Sequence, residues 1–160
     1  ARSAGRNQGS EFIVRLPALR EQQPATLESV ENSALHAAAL RVLVVDDNED
    51  AAISLSMLLE MAGNTVRTAQ DGEKALEIAA ELRPHVVLLD LGLPKMNGYE
   101  VARGIREQPW GREMMLIAVT GWGEASDKQR TSEAGFNQHI VKPVDAQALL
   151  SLLAELPGAR

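Results

Sequence analysis

The 160-residue chain has no cysteine, which excludes a disulfide framework and any thiolate zinc site. It has no apolar run long enough to cross a membrane and no charged-then-apolar leader. Basic residues form no cluster and no helix face. Sixteen Lys and Arg stand against 22 Asp and Glu, a formal net charge of −6, so nothing supplies the attraction to phosphate backbones on which nucleic-acid binding relies. The expectation is a soluble chain in the cytoplasm with no nucleic-acid partner and no membrane contact of its own, even if a longer parent is membrane-anchored. The start at Ala1 reads as a piece cut from something longer. There are no internal repeats and no low-complexity tract.

What is present is 45% apolar residues, enough for one core but hardly two. From Arg41 onward, strand and helix patterns alternate at a regular pace. Val42 to Val45 predicts a strand, Glu49 to Ala62 a helix, Thr65 to Ala69 a strand, and Asp71-Gly72 opens a helix through Leu82. Val86 to Leu89 is apolar without alternation, as central parallel strands are, and Asp90 closes it. A helix from Gly98 to Glu107, a strand from Met115 to Val119, a weak polar helix from Glu124 to Ala134, a strand from Gln138 to Val141 and a helix from Ala146 to Leu153 complete the series. Five βα units imply an α/β fold, a parallel sheet covered by helices on both faces.

Loops after the strands of such a sheet gather at one edge, so strand-end residues far apart in sequence meet there. The ends of strands one, three, four and five carry Asp46-Asp47, Asp90, Thr120 and Lys142. Two carboxylates about 4 Å apart repel by roughly 4 kcal/mol at an effective dielectric near 20, which favours an intervening cation. A hard, oxygen-loving divalent ion suits this set, magnesium first and manganese in its place. With that ion, Lys142 and Thr120 around it, Asp90 becomes a nucleophile facing a site that neutralises a phosphoryl group.

Each residue has a plainer reading. Asp46, Asp47 and Asn48 are all good N-cap types before a helix, Asp90 could start the turn LGLPKMNG, and His36, His85 and His139 read as solvated or packed rather than as ligands. Four strand ends carrying complementary chemistry outweigh these readings taken one by one.

The blocks VLVVDDNED, VVLLDLGLPKMNGYE, IAVTG and IVKP resemble the four signature blocks of response-regulator receiver domains of two-component signalling. The resemblance implies a flavodoxin-like, doubly wound (βα)5 sheet with strand order 2-1-3-4-5 and a phosphoacceptor in a phosphorelay. By motif, Asp90 would be the phosphoacceptor, Asp47 a direct magnesium ligand, Asp46 a residue reaching the ion through water, and Gly92 the donor of a backbone carbonyl. Thr120 would follow the phosphoryl group, Lys142 would bind one of its oxygens, and the Lys142-Pro143 bond would be cis. The partners implied are a histidine kinase core or a histidine phosphotransfer protein. His139 departs from the pattern, because the family usually has there a Tyr or Phe that swings inward on activation. An imidazole at this switch position titrates near 6.5 and suggests pH sensitivity. Gly121 and Gly123 around Trp122 are a second departure. Gly92 offers no side chain to hold a hydrolytic water and Trp122 could cover the approach, so slow self-dephosphorylation is expected.

The boundaries expected are a receiver over 40–156, a tail over 157–160, a linker, part helical, over 20–39, and a separate piece over 1–19. In that last piece SAGRNQGSEFIVRLPAL is similar to the closing hairpin of a histidine-kinase ATP-binding domain, which would make the chain the C-terminal receiver of a hybrid histidine kinase; a cloning scar at GSEF is the plainer alternative. A stand-alone receiver shuttle remains a rival. A haloacid-dehalogenase-like, aspartate-based phosphatase needs a second aspartate where Gly92 stands, and a flavodoxin-like flavin binder needs a phosphate-cradling first loop that Asp46-Asp47 would repel. On the first helix, Ala51, Leu55, Leu58 and Ala62 are expected to make the core stripe, leaving Ile53, Met57 and Met61 as an exposed partner-binding row.

Overall fold

The strands begin where the β-branched runs begin. The computed structural model of the chain describes residues 39–121 and 130–156. In order these form β1 (Arg41–Val45), α1 (Glu49–Met61), β2 (Thr65–Ala69), α2 (Gly72–Leu82), β3 (Val86–Asp90), α3 (Gly98–Glu107), a 3-10 turn (Pro109–Gly111), β4 (Met115–Thr120), β5 (Gln138–Val141) and a C-terminal helix (Ala146–Ala154). The expected helix over Glu124 to Ala134 is seen only at residues 130–133; its beginning lies outside the described residues, as do the expected pieces over 1–38 and 157–160. The 3-10 turn is the one described element that the sequence pattern did not announce.

The five strands are all parallel in the order β2-β1-β3-β4-β5. Alternate side chains of each strand go to opposite faces and build two aliphatic cores. Leu43, Val45, Val87, Leu89, Leu116 and Ala118 pack with α2 and α3, whereas Val42, Val44, Val86, Leu88, Ile117 and Val119 pack with α1 and the C-terminal helix. β3 is buried over its full length because both faces are covered and it has a strand on either side, as its unbroken apolar run requires. The edge strands β2 and β5 are the most exposed. Among the described residues no helix is long and apolar enough to cross a membrane.

The four helices described from their first residue start on side-chain caps. Asn48, Asp71, Asn97 and Asp145 accept hydrogen bonds from the backbone N–H three residues on, and Asn97 closes a capping box with Glu100. At α1 the expected core stripe is corrected. Ala52 and Leu59 are the buried residues; Ala51, Leu55 and Leu58 are half-buried and Ala62 is exposed. The helix leans over β1 and β2, so its inward direction falls one residue from the stripe that spacing suggested. On the other flank Ala51, Leu55 and Leu58 face a cavity of about 300 Å³ that Val119, Pro143 and Val144 close.

At the amino-terminal edge the strands are tied by long-range bonds to backbone. Arg41 donates from its guanidinium to the carbonyls of Leu82 and Arg83, where α2 ends. Arg106 reaches from α3 to the carbonyls of Gly135, Gly111 and Met114 and to Asn137 Oδ1, which also accepts from Leu116 N–H.

Candidate functional site

The carboxyl edge is organised differently. Strands β1, β3 and β4 are buried until their last residues, so Asp46, Asp90 and Thr120 stand at their ends 7%, 8% and 7% exposed. Asn48, not either aspartate, supplies the cap of α1, which removes the plainest alternative role for Asp46 and Asp47. Asp46 Oδ1 instead accepts from Asn48 N–H at 2.9 Å, tying the carboxylate to the turn before α1. Asp47 is exposed beside it.

Asp90 is fixed from three directions. Its Oδ1 accepts from Gly92 N–H at 2.9 Å and its Oδ2 from Lys142 Nζ at 2.6 Å. Behind it, α3 begins so close to the end of β3 that any side chain at Gly98 would run into the Asp90 carbonyl. Lys142 arrives from the end of β5, placed by its N–H on the Thr120 carbonyl at 2.7 Å. Its ammonium bridges Asp90 and Asp46, the latter at 2.7 Å. Burial opposes the charge on Lys142, but the hydrogen bonds and charges of the two carboxylates outweigh it and hold the ammonium above its ordinary pKa. The Lys142-Pro143 bond is cis, as expected.

Oxygens of Asp46, Asp47 and Asp90 all lie within 4.8 Å of one another. Three hard oxygen donors at that spacing fit a divalent ion of the magnesium type and no softer metal, since no thiolate is present and the cluster contains no imidazole. Three carboxylates against one ammonium leave the pocket short of positive charge, which is what such an ion would supply. The strand-end residues proposed from sequence are therefore brought together: Asp46, Asp47, Asp90 and Lys142 in contact range, Gly92 on Asp90, and Thr120 hydrogen-bonded through its backbone to Lys142.

The family model of the response regulator receiver domain matches residues 42–154. This chain belongs to that family. The receiver is 32% identical over 116 residues to the transcriptional regulator RpaA of Synechocystis, covering 72% of this chain and 48% of that one. Against several curated regulators of this type the chain thus spans about half their length. Among solved structures it is similar to the chemotaxis protein CheY4 of Vibrio cholerae, with a TM-score of 0.72 and 31% identity over 75% of this chain and 100% of that one. It is also similar to the receiver domain of the sensor histidine kinase PA1611 of Pseudomonas aeruginosa, which was solved with a magnesium ion coordinated in its active-site cleft. There the TM-score is 0.68 and the identity 31% over 73% and 96% of the two chains.

Other residues singled out from sequence lie outside this cluster. His139 is half-buried on β5 beside Ala118 of β4, and Ile53, Met57 and Met61 are exposed along α1. Trp122 and Gly123 fall outside the described residues. Sequence reasoning missed that Lys142 already bridges both buried carboxylates, although three acids beside one lysine at neighbouring strand ends carried that signal.

Proposed function

We propose that this receiver takes a phosphoryl group from a phosphohistidine onto Asp90, with magnesium or manganese required. The observation that carries the reading is the pair of bonds fixing Asp90: Gly92 N–H holds Oδ1 and Lys142 holds Oδ2, so the carboxylate is oriented at the mouth of an acidic, cation-hungry cluster. Asp47 and Asp90, with the Gly92 carbonyl, would ligate the ion directly and Asp46 through water. The ion, when bound, supplies positive charge to the transferring phosphoryl oxygens. Lys142 then moves from bridging two carboxylates to neutralising a phosphoryl oxygen, and Thr120, at the end of β4, follows that group. His139, in the row of β5 beside Ala118, is the candidate second switch residue.

The donor must bring its phosphohistidine to Asp90, so it covers the surface next to the site. The start of α1 borders that site, and Ile53, Met57 and Met61 are 46%, 60% and 88% exposed along it. This row is the docking surface for a histidine kinase core or histidine phosphotransfer protein. The likeness of SAGRNQGSEFIVRLPAL to a kinase ending and the similarity to the PA1611 receiver support an origin as the C-terminal receiver of a hybrid histidine kinase. The test is labelling with acetyl phosphate and magnesium, read by intact-protein mass: one phosphoryl group on the native chain, none on Asp90→Asn, and weakened metal dependence in Asp47→Ala. Labelling that persists in Asp90→Asn sinks the assignment.

A further inference from the structure

The receiver has no cysteine, so its oxidisable sulfur is confined to five methionines, all of them described. Three are sheltered. Met96 and Met115 are half-buried against the two cores, and Met114 is 5% exposed. Met57 and Met61, at 60% and 88%, lie four residues apart on α1, in one row with Ile53. A spacing of four places side chains on one ridge of a helix.

We propose that Met57 and Met61 form an oxidation site through which a peroxide weakens docking of the phosphohistidine partner on α1. The inference rests on the docking surface assigned above. A thioether sulfur attacks one oxygen of hydrogen peroxide, the O–O bond breaks and an S–O bond forms. Sulfur loses two electrons, and the other oxygen leaves as water with both peroxide protons. No thiol in this sequence competes for the oxidant, and exposure directs it to these two sulfurs. A sulfoxide turns a flexible apolar side chain into a polar one. In a row that must shed water to dock, the new S–O dipole is desolvated without a partner. The fold is spared, because α1 is held by Ala52 and Leu59 on its buried side and by the Asn48 cap at its start. Phosphorylation from a small donor, which needs no docking, is likewise spared, and sulfoxide reductases restore the row.

The test treats the native chain with hydrogen peroxide, maps sulfoxide by peptide mass spectrometry, and compares two donors: acetyl phosphate, and the fastest from a panel of phosphorylated histidine phosphotransfer domains. The expected result is sulfoxide on Met57 and Met61 with Met96, Met114 and Met115 spared. Transfer from the protein donor falls about five- to tenfold while acetyl phosphate labelling is unchanged. The Met57→Leu/Met61→Leu chain, compared with itself before and after treatment, loses no further transfer rate to peroxide. Equal oxidation of all five methionines, an unchanged rate in the oxidised chain, or the same loss in the leucine variant would overturn the proposal. Ile53→Asp with Met57→Asp separates the two readings. If that variant slows protein-donor transfer and oxidation does not, only the oxidation site falls; if it too leaves the rate unchanged, or no donor of the panel outruns acetyl phosphate, the docking surface falls and takes the oxidation site with it.

Discussion

The two edges of the sheet treat polar groups in opposite ways. At the amino-terminal edge each strand begins at a side chain whose hydrogen bonds go to backbone or to a side chain already bonded there: Asn64 before β2, Arg41 at β1, His85 before β3, and Arg106 with Asn137 at β4 and β5. At the carboxyl edge three carboxylates cluster, and two of them, Asp46 and Asp90, share the Lys142 ammonium. The first arrangement is closed in that these side chains are already bonded within the fold. The second is short of a cation and of a partner for Lys142 once that cation comes, and chemistry belongs where charge is left over.

The largest effect should come from breaking the closed edge. Arg106→Ala removes bonds to the carbonyls of Gly135, Gly111 and Met114 and to Asn137 together, and should cost about 3 kcal/mol in urea unfolding. Magnesium should recover none of it. Lys142→Ala at the open edge should cost about 2 kcal/mol without metal, since Asp46 and Asp90 lose their shared cation, discounted because the lysine is partly in water. Here magnesium should recover most of the loss by binding the folded state alone. Recovery of both variants to the same degree, or of neither, would erase the distinction between the edges.

A smaller effect sharpens the open edge itself. A Cβ at Gly92 would sit 3.6 Å from Asp90 Oδ1, in ordinary contact and without strain. Gly92→Asn therefore places an amide beside Asp90, the proposed phosphoacceptor, where it can hold an in-line water, and phospho-Asp90 should decay about threefold faster. Unchanged or slower decay defeats the reading that glycine keeps the phosphorylated state long-lived.

The contrast between the edges also explains what the sequence disclosed. The open edge was legible because parallel topology fixes where strand ends meet, so Asp46, Asp90, Thr120 and Lys142 could be placed together from their order in the chain. The closed edge was not, because its bonds span distances no local pattern carries. Arg41 N–H finds His85 Nδ1 across 44 residues and Arg106 finds the Gly135 carbonyl across 29. Histidines and arginines at strand beginnings read as surface residues until the partner carbonyl is seen. The error at α1 has a related cause: spacing gives a helix its apolar arc, but only the lean of α1 toward β2 decides that Ala52 and Leu59 lie at its centre.

The smallest effect tests the closed edge by pH. His85 Nδ1 accepts from Arg41 N–H at 3.0 Å, so the folded ring must leave that nitrogen unprotonated. Burial, and then the charge of Arg41, lower the His85 pKa below 6.5. The charge that acts on the ring is that of Arg41, at the start of β1. The sign follows from linkage. Above about pH 6.5 the ring is neutral folded and unfolded, and its contribution to stability is complete. Below it the unfolded chain takes up a proton that the folded chain resists, so stability declines as pH falls, until the folded pKa is passed as well. His85→Asn keeps an acceptor for Arg41 N–H and removes the titration of His85. Urea unfolding at about pH 8 and about pH 5 should therefore show the native chain losing more stability than His85→Asn. The difference should be smaller than any above, since the imidazole is largely in water and solvent screens it. Equal losses would mean that the Arg41 bond tolerates a protonated ring, and that this edge is less closed than its hydrogen bonds indicate.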